Sequence, residues 1–188
     1  MSNSYQVSKE FKDMIMIDLP LGEYDDCIFR NCNFSEGDLS GYIFSECEFI
    51  ECDLSNMKLT DCAFRDVHFK SCKMIGLQFD DCNTFSLSFR FSECILDYSS
   101  FYKLKLKKTG FDTCRMTEVD FSGTVLTGSS FHNCDLSGAI FQRSNLEKAD
   151  FRTATNFSIN PEQNSIRNAR FSVPGLVGLL HKYHIVVD

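Results

Sequence analysis

Cysteine is the residue type in this sequence with the most chemistry to offer. The chain has ten cysteines in 188 residues, enough for a disulfide framework or a set of zinc ligands. Each one lies two residues before a position that recurs every five residues and is nearly always large and apolar. The ten are Cys27, Cys32, Cys47, Cys52, Cys62, Cys72, Cys82, Cys94, Cys114 and Cys134. Confinement to one slot of a five-residue period indicates a small side chain that fills a small internal space.

The spacing of the cysteines argues against both disulfides and metal. Cysteines twenty residues apart would stack in four columns, Cys32/Cys52/Cys72, Cys27/Cys47, Cys62/Cys82 and Cys94/Cys114/Cys134. Two of these columns hold three thiols, which cannot all pair, and side chains stacked in parallel do not supply the disulfide dihedral angle. Zinc needs thiolates that converge tetrahedrally, and the four histidines show no ligand spacing with any cysteine pair. We predict reduced, buried thiols, no metal site and no cofactor.

The recurring apolar position predicts the fold. From Leu19 to Phe79, and again from Phe91 to Phe151, every fifth residue is Leu, Tyr, Phe or Met. Neither a helix nor a single strand has a period of five. A square-sectioned β-solenoid does, because each five-residue segment forms one side and four segments form a coil, with coils about 4.8 Å apart. The large residue points to the axis, the small residue two before it also points inward, and the other three face solvent.

The period slips once, between Phe79 and Phe91, which are twelve residues apart. Two extra residues therefore lie within residues 80–90. Four apolar residues here alternate with polar ones, namely Phe85, Leu87, Phe89 and Phe91. This alternation favours a short strand with one apolar edge, and so a bulge rather than a flexible loop. A tolerated kink and a partner-binding protrusion are both open interpretations.

The solenoid pattern divides the chain into three parts. Residues 1–18 are expected to form an N-terminal cap, residues 19–156 the solenoid with its slip at 80–90, and residues 157–188 a C-terminal cap. Within the C-terminal cap, residues 172–183 predict a short helix with Ser172 as N-cap and Pro174 in the first turn. Residues 184–188 predict a terminal strand.

The five-residue segments resemble the consensus A(D/N)LXX of the pentapeptide-repeat family. Clear instances are CDLSN at 52–56, CDLSG at 134–138 and ADFRT at 149–153. The resemblance implies an all-β fold, a right-handed quadrilateral parallel β-helix with a short C-terminal helix and strand as its cap.

The tail is similar to that of the quinolone-resistance (Qnr-type) branch of this family. The matching residues are Asn160-Pro161, Ile166, Leu179-Leu180 and Ile185-Val186-Val187. In that branch the tail joins two solenoids end to end, so the resemblance implies a homodimer. The residues that would form it here are Leu176, Val177, Leu179, Leu180, Tyr183, Ile185 and Val187. Members of the branch are thought to imitate duplex DNA and to bind DNA gyrase or topoisomerase IV.

Charge on the predicted outer positions is consistent with that role in the first half of the chain. Counting in twenties places Asp18, Asp38, Asp61, Asp80 and Asp81 on one side against Lys58, a net charge of −4. The adjoining side carries Glu23, Asp25, Asp26, Glu46 and Asp66 against Arg65, also −4. These ten acids, with Phe85 and Leu87 of the slip, are the candidate partner-binding residues. An ordinary solubility surface would look the same.

The second half of the solenoid has a different balance. Its thirteen segments sum to about +1, and Lys103, Lys105, Lys107 and Lys108 form a basic cluster. With a net charge of −7 for the chain, we expect no direct binding of nucleic acid through this cluster.

The sequence favours a protein-interaction role over an enzyme. No phosphate-binding loop, carboxylate pair or nucleophile motif rises above the repeat, and we expect no small-molecule substrate. There is no apolar run long enough to span a membrane and no signal peptide pattern at the N-terminus, so a cytoplasmic location is expected. Two hypotheses follow: a DNA mimic that binds gyrase or topoisomerase IV and lowers quinolone susceptibility, or a scaffold for an unidentified protein without topoisomerase activity.

Overall fold

The protein folds as a solenoid of short parallel strands joined by corners. Its structure, a computed structural model, describes residues 4–186. The strands in these residues are β1 (Ser4–Val7), β2 (Glu10–Lys12), β3 (Gly22–Asp25), β4 (Ile28–Arg30), β5 (Ile43–Ser45), β6 (Glu48–Ile50), β7 (Ala63–Arg65), β8 (Val67–Lys70), β9 (Phe89–Ser92), β10 (Gly110–Asp112) and β11 (Ser130–His132). Short 3-10 helices occupy Met16–Asp18, Phe79–Asp81, Pro174–Leu179 and His181–Tyr183. The predicted parallel β-solenoid is confirmed.

The strands form two parallel sheets. One has the order β1-β3-β5-β7 and the other β2-β4-β6-β8-β9-β10-β11. Successive coils pair axis residue on axis residue, as in Phe29 with Phe49 and Phe49 with Phe69. The chain already enters the solenoid at β1 and β2, where Phe11 pairs with Phe29 and their rings stack with centroids 5.0 Å apart. The segment expected to act as a cap thus forms a coil of its own in residues 4–18.

The pairing defines four sides, each numbered and identified by its axis residues. Side 1 has Leu19, Leu39, Leu59, Phe79, Phe101, Phe121 and Phe141. Side 2 has Tyr24, Phe44 and Phe64 before the slip and Leu106, Leu126 and Leu146 after it. Side 3 has Phe29, Phe49, Phe69, Phe91, Phe111, Phe131 and Phe151, and side 4 has Phe34, Leu54, Met74, Leu96, Met116 and Leu136.

The core is a stack of aromatic rings along the axis. On side 1 the rings of Phe79 and Phe101 are parallel with centroids 4.5 Å apart. Rings on opposite sides meet edge to face, as Phe101 of side 1 and Phe111 of side 3 do at 5.9 Å. Both geometries are favourable for aromatic pairs, and each buried ring adds its apolar area to the stability. The stack fills the interior, so functional side chains must lie on the outside.

All ten cysteines are buried and free, which confirms the prediction that they fill inward slots. Six of them form one column on side 4 rather than two columns of three, because Cys72 and Cys94 are aligned across the slip. The six are Cys32, Cys52, Cys72, Cys94, Cys114 and Cys134. Their thiols donate to carbonyl oxygens of the core, for example from Cys52 Sγ to Phe29 O at 3.4 Å. Among residues 4–186 no group of three metal-ligating side chains is arranged to hold an ion.

Burial suppresses the ionisation of Cys47 and Cys62, two thiols outside the side-4 column. Loss of hydration raises the pKa of Cys47 to about 12 and that of Cys62 well above its usual value. Because the thiolate is the reactive form, such thiols are protonated and inert at neutral pH.

Most corner positions, two residues after an axis residue, have a left-handed backbone. Asp26, Glu46 and Lys108 have φ angles of 51°, 53° and 59°. The corner N–H donates to the next coil, as from Glu46 N to Arg65 O at 2.8 Å. This bond fixes the corner while its side chain points to solvent, where Asp26, Glu46 and Lys108 are all exposed. The fold therefore leaves the charge of a corner residue unconstrained.

The slip at residues 80–90 is a short loop on side 2. Its ends are anchored to the coil before it by bonds from Asn83 N to Cys62 O at 2.9 Å and from Ser88 N to Phe64 O at 3.0 Å. The predicted strand is correct only for β9. Phe85 lies in the turn of the loop and its side chain is 74 % exposed, because an excursion from the coil carries its residues away from the axis.

Phe89 compensates for this excursion in the core. It occupies a small inward slot, two residues before Phe91, yet it is buried. Its ring lies 5.3 Å from that of Phe79 and 6.1 Å from that of Phe101. The loop removes the axis residue that side 2 would supply to this coil, and Phe89 fills the space.

The C-terminal segment differs in part from the prediction. The helix is present as two short 3-10 helices, and the N-cap of the first is Val173 and not Ser172 as predicted. The Ser172 hydroxyl nevertheless accepts a hydrogen bond from Gly175 N at 3.2 Å. The strand predicted for residues 184–188 is not formed in residues 184–186, since a strand needs a neighbour to pair with. Val187 and Asp188 lie outside the described residues. No helix in residues 4–186 is long and apolar enough to cross a membrane.

Candidate protein-interaction surface

The ten predicted acids lie together on two adjoining sides of the N-terminal half. We call this surface the acidic stripe; its members are Asp18, Glu23, Asp25, Asp26, Asp38, Glu46, Asp61, Asp66, Asp80 and Asp81. Eight of them are exposed, and Asp25 and Asp80 are half-buried. The bridge between Asp38 and Lys58 and the pairing of β3 with β5 place the acids in successive coils on the same two sides.

Two corner columns border side 2 and concentrate the charge. Asp26, Glu46 and Asp66 follow one another along one corner, and Asp61 and Asp81 along the other. Successive members are one coil apart, about 4.8 Å. Because the potentials of like charges at this spacing add, each column presents a stronger negative potential to a partner than a single carboxylate would.

Few cations neutralise the stripe. Among the described residues its one ion pair joins Lys58 Nζ to Asp38 Oδ2 at 3.3 Å, with both side chains exposed. Hydrogen bonds from Ser40, and the neighbouring Lys58, hold the pKa of Asp38 below its usual value. Exposed pairs of this kind contribute at most about 1 kcal/mol, so they do not explain why so many acids gather here.

The two apolar candidates of the loop have different environments. Phe85 is exposed at the turn, whereas Leu87 is partly buried and packs against the core. Thr84 and Leu87 line a surface hollow of about 240 Å³ together with Lys103, Leu104 and Lys105. The loop thus presents one apolar side chain to solvent and shelters an apolar recess beside it.

Beyond the loop the same corners become basic, a feature that counting in twenties did not reveal. Lys103, Gly123 and Arg143 succeed one another at one corner of side 2, and Lys108, Gly128 and Lys148 at the other. The signal was present in the sequence once the two inserted residues are added to the count.

The predicted dimerisation residues form a partly apolar end. Leu176, Val177, Tyr183 and Ile185 are 44, 40, 53 and 56 % exposed. Leu179 and Leu180 are half-buried, with Leu179 packed against the core, and Val187 lies outside the described residues. Exposed apolar groups gathered at one end are typical of an interaction surface.

Two models of one family match the sequence. The model described as a pentapeptide repeat region matches residues 23–93, and the model of eight pentapeptide repeats matches residues 114–152. No curated protein sequence matches the chain.

Solved structures with the same fold include two trypsin-treated variants of QnrB1, a plasmid-mediated fluoroquinolone resistance protein. One superposes with a TM-score of 0.64 at 18 % identity, over 99 % of this chain and 98 % of that one. The other gives 0.63 at 18 % identity over all of both chains. At this identity the likeness concerns the fold. The family models, the five-residue period and the coil geometry agree, and the chain belongs to the pentapeptide-repeat proteins.

Proposed function

We propose that this protein binds a type II topoisomerase, gyrase or topoisomerase IV, by presenting the acidic stripe in place of duplex DNA, and that it thereby lowers quinolone susceptibility. The observation that carries the proposal is the pair of acidic corner columns beside side 2. DNA-binding grooves are lined with Lys and Arg that contact phosphates along a regular, rigid polyanion. A rod with exposed carboxylates at a fixed axial spacing offers such a groove similar chemistry.

The rigidity of the rod supports this role. The corner N–H groups bond to the next coil, and the axis side chains are fully buried, so the carboxylates are held by a fixed frame. A partner that binds them orders only the outer side chains, which keeps the entropy cost of association low. The fold shared with the QnrB1 variants is consistent with this role, since that protein is a fluoroquinolone resistance protein.

The C-terminal end supports a further part of the proposal, a homodimer joined end to end. Leu176, Val177, Tyr183 and Ile185 leave apolar surface uncovered in one chain. Burial of that surface against a second copy would remove it from water, and the strand expected at residues 184–188 would find a partner to pair with. Light scattering before and after deletion of residues 172–188 tests this: a full-length monomer would refute the dimer.

The competing function is a scaffold for another protein. The loop favours it, because Phe85 is a large apolar side chain exposed outside the stripe. Exposed aromatic residues are frequent anchors of protein interfaces. On this alternative, substitution of Phe85 would impair partner binding while removal of the acids would not.

Gyrase supercoiling with and without ciprofloxacin, at increasing concentrations of this protein, tests the proposal. We expect rescue of supercoiling from the drug, or inhibition of supercoiling at high concentration. If neither rescue nor inhibition occurs at any concentration, topoisomerase binding is rejected. A positive result must also be sensitive to ionic strength, because exposed charges are screened by salt.

A variant with uncharged corner residues tests whether the acidic stripe causes the binding to gyrase. Asp26→Asn, Glu46→Gln and Asp66→Asn together remove three charges from one corner column. The matched control removes three acids at corners away from side 2, Glu51→Gln, Glu93→Gln and Glu118→Gln, all with φ of 55–58°. At about 0.2–1 kcal/mol per exposed pair, the first variant should bind gyrase about tenfold more weakly. Equal weakening by both variants would mean that net charge, not the stripe, is responsible.

A further inference from the structure

The basic half of side 2 has few counter-charges of its own. Lys103, Lys105, Lys107 and Lys108 are exposed, and none of them forms an ion pair with another described residue. By contrast, Lys58 and Lys73 each pair with an aspartate one coil away. On side 2 after the loop, over segments 104–108, 124–128 and 144–148, one acid is present, at position 147.

Glycines arrange these cations into a platform. We use the name basic platform for Lys103, Lys105, Lys107, Lys108, Arg143 and Lys148. Gly123 and Gly128 separate the cations at the two corners, with φ of 68° and 71°. The stems of Lys103 and Lys108 lie over them: a Cβ on Gly123 would come within 3.0 Å of Lys103 Cγ, and one on Gly128 within 3.7 Å of Lys108 Cγ.

The glycines keep the floor of the platform low. Between the corner cations lies a coil whose outer residues on side 2 are uncharged, including Val125 and Thr127. The corner cations on either side of this coil are two coils apart, about 10 Å at the strand spacing of a sheet. An extended chain therefore finds a shallow, neutral floor with a cation at each corner.

An apolar recess adjoins the platform. The hollow of about 240 Å³ under the loop is lined by Leu87 and Leu104 as well as by Lys103 and Lys105. Leu104 is 4 % exposed, so the bottom of the hollow is part of the core. Phe85 stands at the turn of the loop beside it, 74 % exposed. Cations and an apolar recess are thus within reach of one short ligand.

We propose that the basic platform and this hollow bind an acidic peptide segment of a partner protein, with one large apolar side chain of the segment seated in the hollow. Carboxylates of the segment would pair with the corner cations, and the apolar side chain would be removed from water. The inference goes beyond topoisomerase binding and does not depend on it, since the two surfaces have opposite charge and lie on opposite sides of the loop.

Other occupants fit less well. A nucleic acid brings negative charge but no side chain for the hollow, and the acidic stripe on the same side repels a long polyanion. The stripe of a second copy has the right charge, but the loop projects from the middle of side 2 and keeps two such sides from lying flat together. A short acidic peptide avoids both obstacles.

Fluorescence anisotropy with the full-length protein tests the proposal. The probes are pools of labelled twelve-residue peptides rich in Asp and Glu: one pool with a single Leu or Phe at varied positions, one with Ser in that place. We expect micromolar binding by the first pool and about tenfold weaker binding by the second, at 50 mM salt. Absence of binding by both pools at millimolar concentration would overturn the proposal, as would equal binding by both.

Two variants connect binding to the residues. Lys105→Glu with Lys108→Glu should reduce affinity for the first pool at least tenfold. The control Lys12→Glu with Lys70→Glu, which reverses two exposed lysines on side 3, should change it less than twofold. Thr84→Met, which fills the hollow from its rim, should weaken binding of the first pool to the level of the second. Thr84→Ser should leave binding of the first pool unchanged.

Two further measurements address the rival occupants. A twelve-nucleotide single strand that binds as tightly as the first pool would assign the platform to nucleic acid and reject the peptide. Salt-sensitive self-association of the full-length protein that is abolished by Lys105→Glu with Lys108→Glu, in the absence of peptide binding, would assign it to a second copy. Urea unfolding of each variant shows that any loss of binding is not a loss of fold.

Discussion

Side 2 has two halves that share a backbone frame and differ in almost everything outside it. Before the loop it is the four-stranded sheet of β1, β3, β5 and β7, with acidic corners. After the loop, segments 104–108, 124–128 and 144–148 form isolated bridges on this side, and the corners are basic. The axis residues are Tyr and Phe in the first half and Leu in the second. The frame is thus set by inward positions, and the outer charge is free to take either sign.

The corner conformation explains this freedom. Glu46 and Lys108 occupy equivalent corners with φ of 53° and 59°. A left-handed residue costs about 1–2 kcal/mol unless it is Gly, and Asn or Asp in part, so a long charged side chain gains nothing locally. A charge of either sign is tolerated because both side chains point directly into solvent.

The largest expected effect comes from truncating a core residue in each half of side 2. Phe44→Ala should cost about 3–5 kcal/mol of unfolding free energy, because the ring packs between those of Tyr24 and Phe64 at 5.4 and 5.6 Å. Leu126→Ala should cost about 2–3 kcal/mol, since fewer buried atoms are removed. Urea unfolding followed by far-UV circular dichroism measures both, as the chain has no tryptophan. A larger loss for Leu126→Ala would mean that the basic half dominates the stability.

The loop between the halves allows a comparison within one residue type. Phe89→Ala should cost about 3 kcal/mol, because its buried ring replaces the axis residue that the loop removes. Phe85→Ala should change the unfolding free energy by less than about 0.5 kcal/mol, because its side chain is mostly in water. Thermal unfolding of the two variants in parallel measures the contrast. Similar losses for both would show that Phe85 packs inward in solution.

Acid titration compares carboxylates of the two halves at smaller magnitude. Hydrogen bonds from Arg152 hold the pKa of Asp150 below its usual value, as those from Ser40 do for Asp38. The native state then binds fewer protons than the unfolded chain, so the stabilisation is complete above the unfolded pKa of about 3.9 and is lost as pH falls through the folded value.

The corresponding measurement uses urea midpoints at pH 5 and pH 2.5. The loss of stability between these values should be smaller in Asp150→Asn than in the unaltered protein, by less than about 1 kcal/mol because Arg152 is exposed and Asp150 lies half-buried at the surface. Asp38→Asn should show a change of the same sign. A steeper acid loss in either variant would mean that the pKa of the replaced carboxyl group is not lowered by folding.

The smallest effect is expected from substitutions that exchange the corner charges of the two halves. Glu46→Lys and Lys108→Glu should each change the unfolding free energy by less than about 0.5 kcal/mol. Differential scanning calorimetry at low salt is sensitive enough to detect a violation. A change above about 1 kcal/mol in either variant would show that corner charge does constrain the frame.

The inward positions were the predictable part of this fold. The five-residue period and the cysteine slot identified the axis residues, the small slots and the place of the slip, because burial selects residue type most strongly there. The stripe acids were also assigned to the correct two sides, since all of them precede or adjoin the slip.

Positions that depend on one coil's alignment with the next could not be predicted. Phe11 lies eighteen residues before its partner Phe29, so it falls outside a count in fives. Alternation alone could not tell that Phe85 leaves the core while Phe89 enters it. The basic corners at Arg143 and Lys148 became visible when Lys103 and Lys108 were aligned with them in space. The predicted terminal strand is a separate case, because a strand requires a neighbour to pair with.

The sign change along side 2 also gives the molecule an electric dipole along its length. Carboxylates at one end of a rod and ammonium groups further along the same side produce a torque in the field of any charged partner. We expect this torque to orient the rod before contact, so that one half meets the partner first. The order of acidic and basic coils along the rod thus sets the axial direction in which it approaches a charged macromolecule.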